Sequence, residues 1–272
     1  MNKKHPWKWT LIALIPVFLI CFPIYYVFVG GFETLDQIYH QPPYLFPPSP
    51  TFEAYSQTFS LLRTCLLNSV IITVGVVLLV LIVAPLAAFA LSKLNLKHEQ
   101  VFRFIFLFVQ MIPATTAMIP LYLVVNNLGL LNTFTSVILV ISAYSIPFTV
   151  ILLSGFMQSF PKELIESAQL DGATLMKIYW KVVLPLSKPA LTTAAIFAFL
   201  GGWNNFIIPL TLLRDDSKYP LSIGLFNFVG AYGTKWNGLM AGSALYAIPA
   251  IIVVIIGSKF LVSGLTSGAF KE

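Results

Sequence analysis

Lys162, Glu163, Glu166, Asp171, Lys177, Lys181 and Lys188 gather seven charges into one short stretch of a chain that is only 10% charged. Residue types of this kind can do acid–base work, hold a cation or recognise a partner. Acid–base or nucleophilic catalysis needs a second group within reach, and none lies nearby. The three histidines, His5, His40 and His98, stand far apart in terminal or loop segments. Cys21 and Cys65 fall in or beside apolar runs, where a lone thiol behaves as a small hydrophobe, so no disulfide framework is expected. The sequence contains no glycine-rich phosphate loop, paired-histidine zinc motif or nucleophile elbow. Recognition is what remains.

The stretch has its own local design. Pro161 suits the first position of a helix, Glu163 sits in the first turn where the helix dipole favours an anion, and Gly172 is a C-terminal stop. That predicts a short helix offering Glu166, Ser167 and Ala168 from its middle. A helix so short is unstable alone and is suited to a partner groove, although a solvated loop helix capping the chain has the same pattern. After Gly172, Leu175, Ile178, Tyr179, Val182 and Val183 recur at helical spacing, with Thr174, Lys177 and Lys181 opposite. This predicts a second, amphipathic helix, after which Pro185 and Pro189 turn the chain.

The elements that position this stretch are membrane helices. The chain is 58% hydrophobic, against a charged fraction of about 25% in ordinary soluble domains. Apolar runs at about 10–30, 65–91, 101–125, 135–156, 190–213 and 237–262 each have the length of a membrane-spanning helix. The expectation is an all-α integral membrane protein with six transmembrane helices in a single domain over 1–272, and a polar loop at 157–189. The basic start MNKKHPWKW also fits a signal peptide, but the run is long and lacks a small-residue cleavage site, so an uncleaved span is expected. With the N-terminus inside, twelve Lys and Arg fall in inner segments and four, Arg63, Arg214, Lys218 and Lys235, in outer ones. That bias puts both termini in the cytoplasm.

Each run contains proline: Pro16 and Pro23, Pro85, Pro113 and Pro120, Pro147, Pro209, and Pro249. Kinks are therefore expected throughout. The prolines of YHQPPYLFPPSPTF, 39–52, favour an extended outer connector. Gly238 and Gly242 form a G-x-x-x-G, whose default reading is a close helix contact within the fold. Span centres lack ionisable groups, and Arg103 reads as an interface anchor. An ion-coupled secondary transporter is thereby disfavoured, and energy must come from another subunit.

Glu166-Ser167-Ala168, Gly172 and Leu184-Pro185 resemble the E-A-A-x3-G-x9-I-x-L-P loop of binding-protein-dependent ABC importer permeases. Ser167 and Val182 depart modestly from it. PKELIESAQLDGA, PPSPTFEAYSQTF, AAFALSKL, IPLYLVVNNLGLLNT, WNNFIIPL and GLTSGAFKE are similar to the maltose-type carbohydrate permeases, on the side of the second, six-span subunit. The resemblance implies the type I ABC importer permease fold, with the first helix of the loop acting as a coupling helix seated in a cytoplasmic ATPase. It implies ATPase-coupling roles for Glu163, Glu166, Ser167, Ala168, Asp171 and Gly172, with Glu166 the ionic contact, Ser167 and Ala168 close-packing positions and Gly172 the turn.

The implied partners are a second permease subunit, an ATPase dimer, an extracytoplasmic solute-binding protein and membrane lipid, with no nucleic acid. This chain is expected to bind no metal or cofactor and to catalyse no reaction, ATP and Mg residing in the ATPase. The implied location is a bacterial or archaeal cytoplasmic membrane. Trp203, Asn204 and Asn205 offer an aromatic face and amides suited to a sugar in the substrate pathway, although packing by Gly201 and Gly202 competes as an explanation. Tyr232 and Trp236, in the outer loop 214–236, are the candidate contacts for the binding protein. An importer for a non-sugar solute remains an alternative.

Overall fold

The computed structural model describes residues 6–94, 96–161, 163–230 and 233–266. They are mostly helical. In chain order the helices are α1 (Pro6–Gly30), α2 (Leu35–Ile38), α3 (Glu53–Lys93), α4 (Glu99–Met111), α5 (Ala114–Asn127), α6 (Phe134–Gln158), α7 (Glu163–Leu170) and α8 (Leu175–Ile178). A π-helical turn, Tyr179–Val183, leads to α9 (Leu184–Leu186), α10 (Lys188–Trp203), α11 (Ile207–Leu212) and α12 (Leu221–Gly224). A small antiparallel hairpin, β1 (Val229–Gly230) with β2 (Gly233–Thr234), precedes α13 (Trp236–Thr266).

Among the described residues, α3, α6 and the Trp236–Ser258 part of α13 are each long and apolar enough to cross a membrane. At 1.5 Å per residue the 41 residues of α3 run about 60 Å, well beyond the roughly 30 Å of hydrocarbon, so this helix continues outside the bilayer. Two further candidates are bent pairs: α4 with α5 at 100°, and Leu175–Leu186 with α10 at 79°. Leu14–Gly30, within α1, is a shorter apolar helix.

Two runs read from the sequence as continuous spans are therefore interrupted. In 101–125 the break falls at Ile112, which takes extended backbone (φ −79°, ψ 113°) because the ring of Pro113 crowds a helical residue before it. Pro85, Pro147 and Pro249 stay inside unbroken helices. In 190–213, α10 stops at Trp203 and α11 starts at Ile207, leaving Asn204, Asn205 and Phe206 between them.

The chain forms two compact units, Met1–Arg63 with Gly224–Pro249, and Thr64–Ile223 with Ala250–Glu272. In the larger unit, Ile72, Val76, Val80 and Ala84 of α3 share a buried core with Val137, Ile141, Val150 and Leu153 of α6 and with Ala190, Ala194 and Ala198 of α10. Small residues let α10 lie close. Arg103 is corrected from an interface anchor to a tie between α4 and α6: its Nε donates to Glu99 at 2.8 Å and its Nη1 to Ser154 Oγ at 3.1 Å. The Glu99 contact lies one turn back on its own helix, so Ser154 is the partner that reaches across to α6.

In the smaller unit the G-x-x-x-G is an internal contact. A Cβ at Gly238 would lie 2.6 Å from the Phe228 ring, and one at Gly242 would lie 2.7 Å from Leu225 Cδ2, 3.3 Å from Thr58 Cγ2 and 3.4 Å from Leu62 Cδ1. Ala241 and Ala244 beside them are fully buried. Gly242→Leu is therefore expected to destabilise by about 1–3 kcal/mol through overpacking. Thermal unfolding of the detergent-solubilised chain checks this, and an unchanged midpoint refutes the packing assignment.

Candidate functional site

The polar stretch folds as a helix, a turn and a second helical segment. α7 ends in a Schellman arrangement: Gly172 takes φ +76°, its N–H donates to Gln169 O at 2.9 Å, and Ala173 N–H reaches Ala168 O at 3.0 Å. Gly172 is the residue type that accepts this left-handed backbone without strain. Thr174 then caps α8, its hydroxyl accepting from Lys177 N–H at 3.3 Å. Pro161 lies before the helix rather than in its first turn, and Lys162 lies outside the described residues.

The two faces of α7 differ. Ile165 is buried and Ala168 packs against the core of the larger unit. Glu163, Glu166, Ser167, Asp171 and Gly172 are exposed. The small size of Ala168 therefore serves packing on its own bundle, while the Ser167 hydroxyl donates back to Glu163 O at 2.7 Å. The sequence reading missed Leu164 and Leu170. Leu170 is 90% exposed, an apolar side chain at the end of α7 next to Asp171 and one turn after Glu166. An apolar residue at the end of a polar helix was the signal that could have found it.

The segment is braced at both ends. Lys93, the last residue of α3, donates from Nζ to Phe160 O at 3.0 Å just before α7. Beyond α8, Ile178, Tyr179 and Val183 are buried, with Tyr179 5.4 Å from the Phe89 ring. The amphipathic prediction is corrected at Leu175, which is 45% exposed. A π turn, Tyr179–Val183, follows α8. Pro185 has no N–H and would crowd the Lys181 carbonyl in a regular helix, and Leu184 N–H reaches Tyr179 O in the widened turn.

Of the candidate pathway residues, Trp203 is 2% exposed and stacks on Phe199 at 5.6 Å, so it is a packing residue in this structure. Gly202 sits against α3, where a Cβ would lie 3.1 Å from Thr73 Cα. Asn204 is exposed at the end of α10. Asn205 is half-buried, its Oδ1 capping α11 through Ile208 N–H at 3.1 Å and its carbonyl accepting from Ser222 at 2.9 Å. Broken helices at membrane depth persist where neighbouring protein or water satisfies the freed backbone. Thr73 and Ser142 have buried hydroxyls without a hydrogen-bond partner, whereas Ser145, Thr149 and Ser187 bond back to their own helices.

A second ordered region gathers around Asn132, which takes φ +60°. Its Oδ1 accepts from Arg214 N at 3.1 Å and Asp215 N at 3.3 Å, and Lys218 Nζ reaches its carbonyl at 2.9 Å. Asn68 Nδ2 holds the carbonyls of Ser217 and Tyr219 at 2.8 and 3.1 Å. The Ser217 hydroxyl and N–H both donate to Asp215 and hold its carboxyl below the usual range. The first half of the 214–236 loop is thus tied down, which sequence reading did not foresee because Asn132 and Asn68 are remote in the chain. Trp236 is 41% exposed at the start of α13, and Tyr232 lies outside the described residues.

Residues 80–267, which include α7 and the segment after it, match the family described as binding-protein-dependent transport system inner membrane component. The chain belongs to this family. It is 32% identical over 266 residues to a diacetylchitobiose uptake system permease protein of Streptomyces coelicolor, covering 97% of this chain and 96% of the relative. It is 32% identical to an arabinooligosaccharides transport system permease protein of Halalkalibacterium halodurans, with 97% and 96% covered. A sulfoquinovosyl glycerol transport system permease protein of Agrobacterium fabrum is 31% identical, with 92% and 88% covered.

Among solved structures, a chain of a bacterial ABC transporter involved in the import of the acidic polysaccharide alginate superposes with a TM-score of 0.82 at 27% identity, covering 95% of this chain and 98% of that one. The permease therefore has the ABC importer permease fold and is a multi-pass membrane protein. The relatives are transport permeases, not enzymes.

Proposed function

We propose that this permease subunit carries a sugar or related polyol, delivered by an extracytoplasmic binding protein, and is coupled to a separate ATPase through α7. The observation that carries the coupling is the two-faced α7: Ile165 and Ala168 seat it on the core, while Glu163, Glu166 and Leu170 remain exposed. An acidic rim around an exposed leucine suits a basic groove with an apolar floor, and a helix of 8 residues needs such support. Because Lys93 and the buried π turn brace it, a displacement of α7 is passed to α3 and α10. The N-terminus and α7 face the cytoplasm, and α1, α3, α4 with α5, α6, α10 with α11, and α13 supply six spans.

A sugar cargo is supported by relatives named for diacetylchitobiose, arabinooligosaccharides and sulfoquinovosyl glycerol. Within this chain, the break at Asn204 and Asn205 offers amide and backbone groups to hydroxyls, which suits part of the pathway. In this reading ATP and Mg bind in the partner ATPase.

Purification from the native membrane in mild detergent, followed by mass spectrometry, tests the assembly. A phosphate-loop ATPase and a second permease are expected to remain bound. A chain that emerges alone and transports in liposomes without ATP refutes the proposal.

A further inference from the structure

The smaller unit contains a polar pocket of about 130 Å³ lined by Gln57, Thr58, Phe228, Lys235, Asn237 and Gly238, with Ala54 and Leu61 completing the wall. Its volume is well below the roughly 300–1,000 Å³ of small-molecule sites, so it is sized for one side chain and not for an oligosaccharide. The pocket is held by its own hydrogen bonds. Gln57 Nε2 donates to Glu53 at 2.9 Å, the Thr58 hydroxyl donates to Gly238 O at 3.4 Å, and Asn237 Oδ1 accepts from Gly238 N–H at 2.9 Å. Phe228 packs on Gly238 and accepts Lys235 N–H at its carbonyl at 2.9 Å, fixing the backbone of the lysine.

What these bonds leave over includes two donors, at Asn237 and Lys235. The Asn237 carbonyl oxygen is occupied, so its amide nitrogen is the half left to bind. Lys235 is exposed and, among the described residues, no carboxylate comes within ion-pair distance of its ammonium. Glu53, one helical turn before Gln57 and outside the pocket lining, accepts the Gln57 amide N–H at Oε1. An ammonium and an amide N–H on the rim of a side-chain-sized polar pocket match a carboxylate.

We infer that this pocket is a docking socket for an aspartate or glutamate side chain of the extracytoplasmic binding protein. The inference rests on the importer reading above, which places Lys235 and the neighbouring exposed Trp236 on the outer side. An anchor that enters a pocket beside an aromatic side chain supplies much of an interface's affinity, and pairing with Lys235 would also steer encounter.

The test uses the purified transport complex in nanodiscs and the binding protein recovered with it. Lys235→Glu is expected to weaken binding at least tenfold, and Lys235→Arg to stay within about twofold, since Lys235 is exposed and both variants should elute as wild type on gel filtration. Carbodiimide treatment of the wild-type complex should join Lys235 to an acidic residue of the binding protein. Binding unchanged in Lys235→Glu overturns the socket alone, as does a cross-link from Lys235 to the second permease. A wild-type complex that binds no binding protein overturns the importer reading with it.

Discussion

Glu166→Lys is expected to cut solute uptake at least tenfold while the chain still folds, inserts and assembles in detergent. Glu166 is exposed, and no hydrogen bond or ion pair holds it among the described residues, so no internal contact is lost. The local cost is the swap of an anion for a cation in the first turn of α7, about 0.3–1 kcal/mol of unfavourable dipole interaction. Against a basic groove the same swap replaces attraction by repulsion at close range, which costs several kcal/mol when desolvated. Uptake and ATP hydrolysis measured together in proteoliposomes separate the possibilities. ATP hydrolysis that continues without uptake supports coupling through α7, and wild-type uptake sinks it. Leu170→Asp checks the apolar half of the same face: its side chain is 90% exposed, so only a partner can register the change.

The second large effect is expected from Gly202→Val. A Cβ there would stand 3.1 Å from Thr73 Cα, 3.4 Å from Val76 Cβ and 3.5 Å from Thr73 Cβ. The nearest atom belongs to the backbone of α3 and cannot swing aside, so α10 must move off α3 as a body. Two further methyl groups make the overlap worse, and overpacking of this kind costs about 1–3 kcal/mol or more. Thermal unfolding in detergent should show a clearly lower midpoint. Gly201→Ala is the control: its Cβ would meet only Ser145 Oγ, at 3.2 Å, a hydroxyl at the end of a rotatable side chain. Equal effects of the two substitutions would refute the assignment of Gly202 as the contact between α3 and α10.

Sequence and structure agree most closely where the cause is local. Gly172 was legible as a helix stop because a left-handed residue after a helix favours glycine, and the short helix before it followed from the acid in its first turn. The internal role of Gly238 and Gly242 was legible as a default, and Phe228, Leu225 and Thr58 are the neighbours that make it so. Ala168 was legible as a small position but not which way it would face. Helical spacing alone does not say that Ile165 beside it is the residue pressed into the core. Leu175 shows the limit of periodicity: helical spacing puts it on the face of Ile178, yet Ile178 is buried and Leu175 is exposed, because the packing partner covers only one end of that face.

What the sequence by itself determined was the apolar runs, the Gly172 stop and the resemblance that the family match then bore out. Each depends on residues within a few positions of one another, or on composition summed over a span. Tertiary structure alone decided that Trp203 is packed and not presented, that Asn204 and Asn205 sit in a helix break, that Arg103 joins α4 to α6, and that Asn132 and Asn68 hold the segment from Arg214 to Tyr219. Those outcomes turn on which partner atom arrives from tens of residues away. A buried polar group takes whichever donor or acceptor the packing brings to it, and no local pattern names that atom in advance.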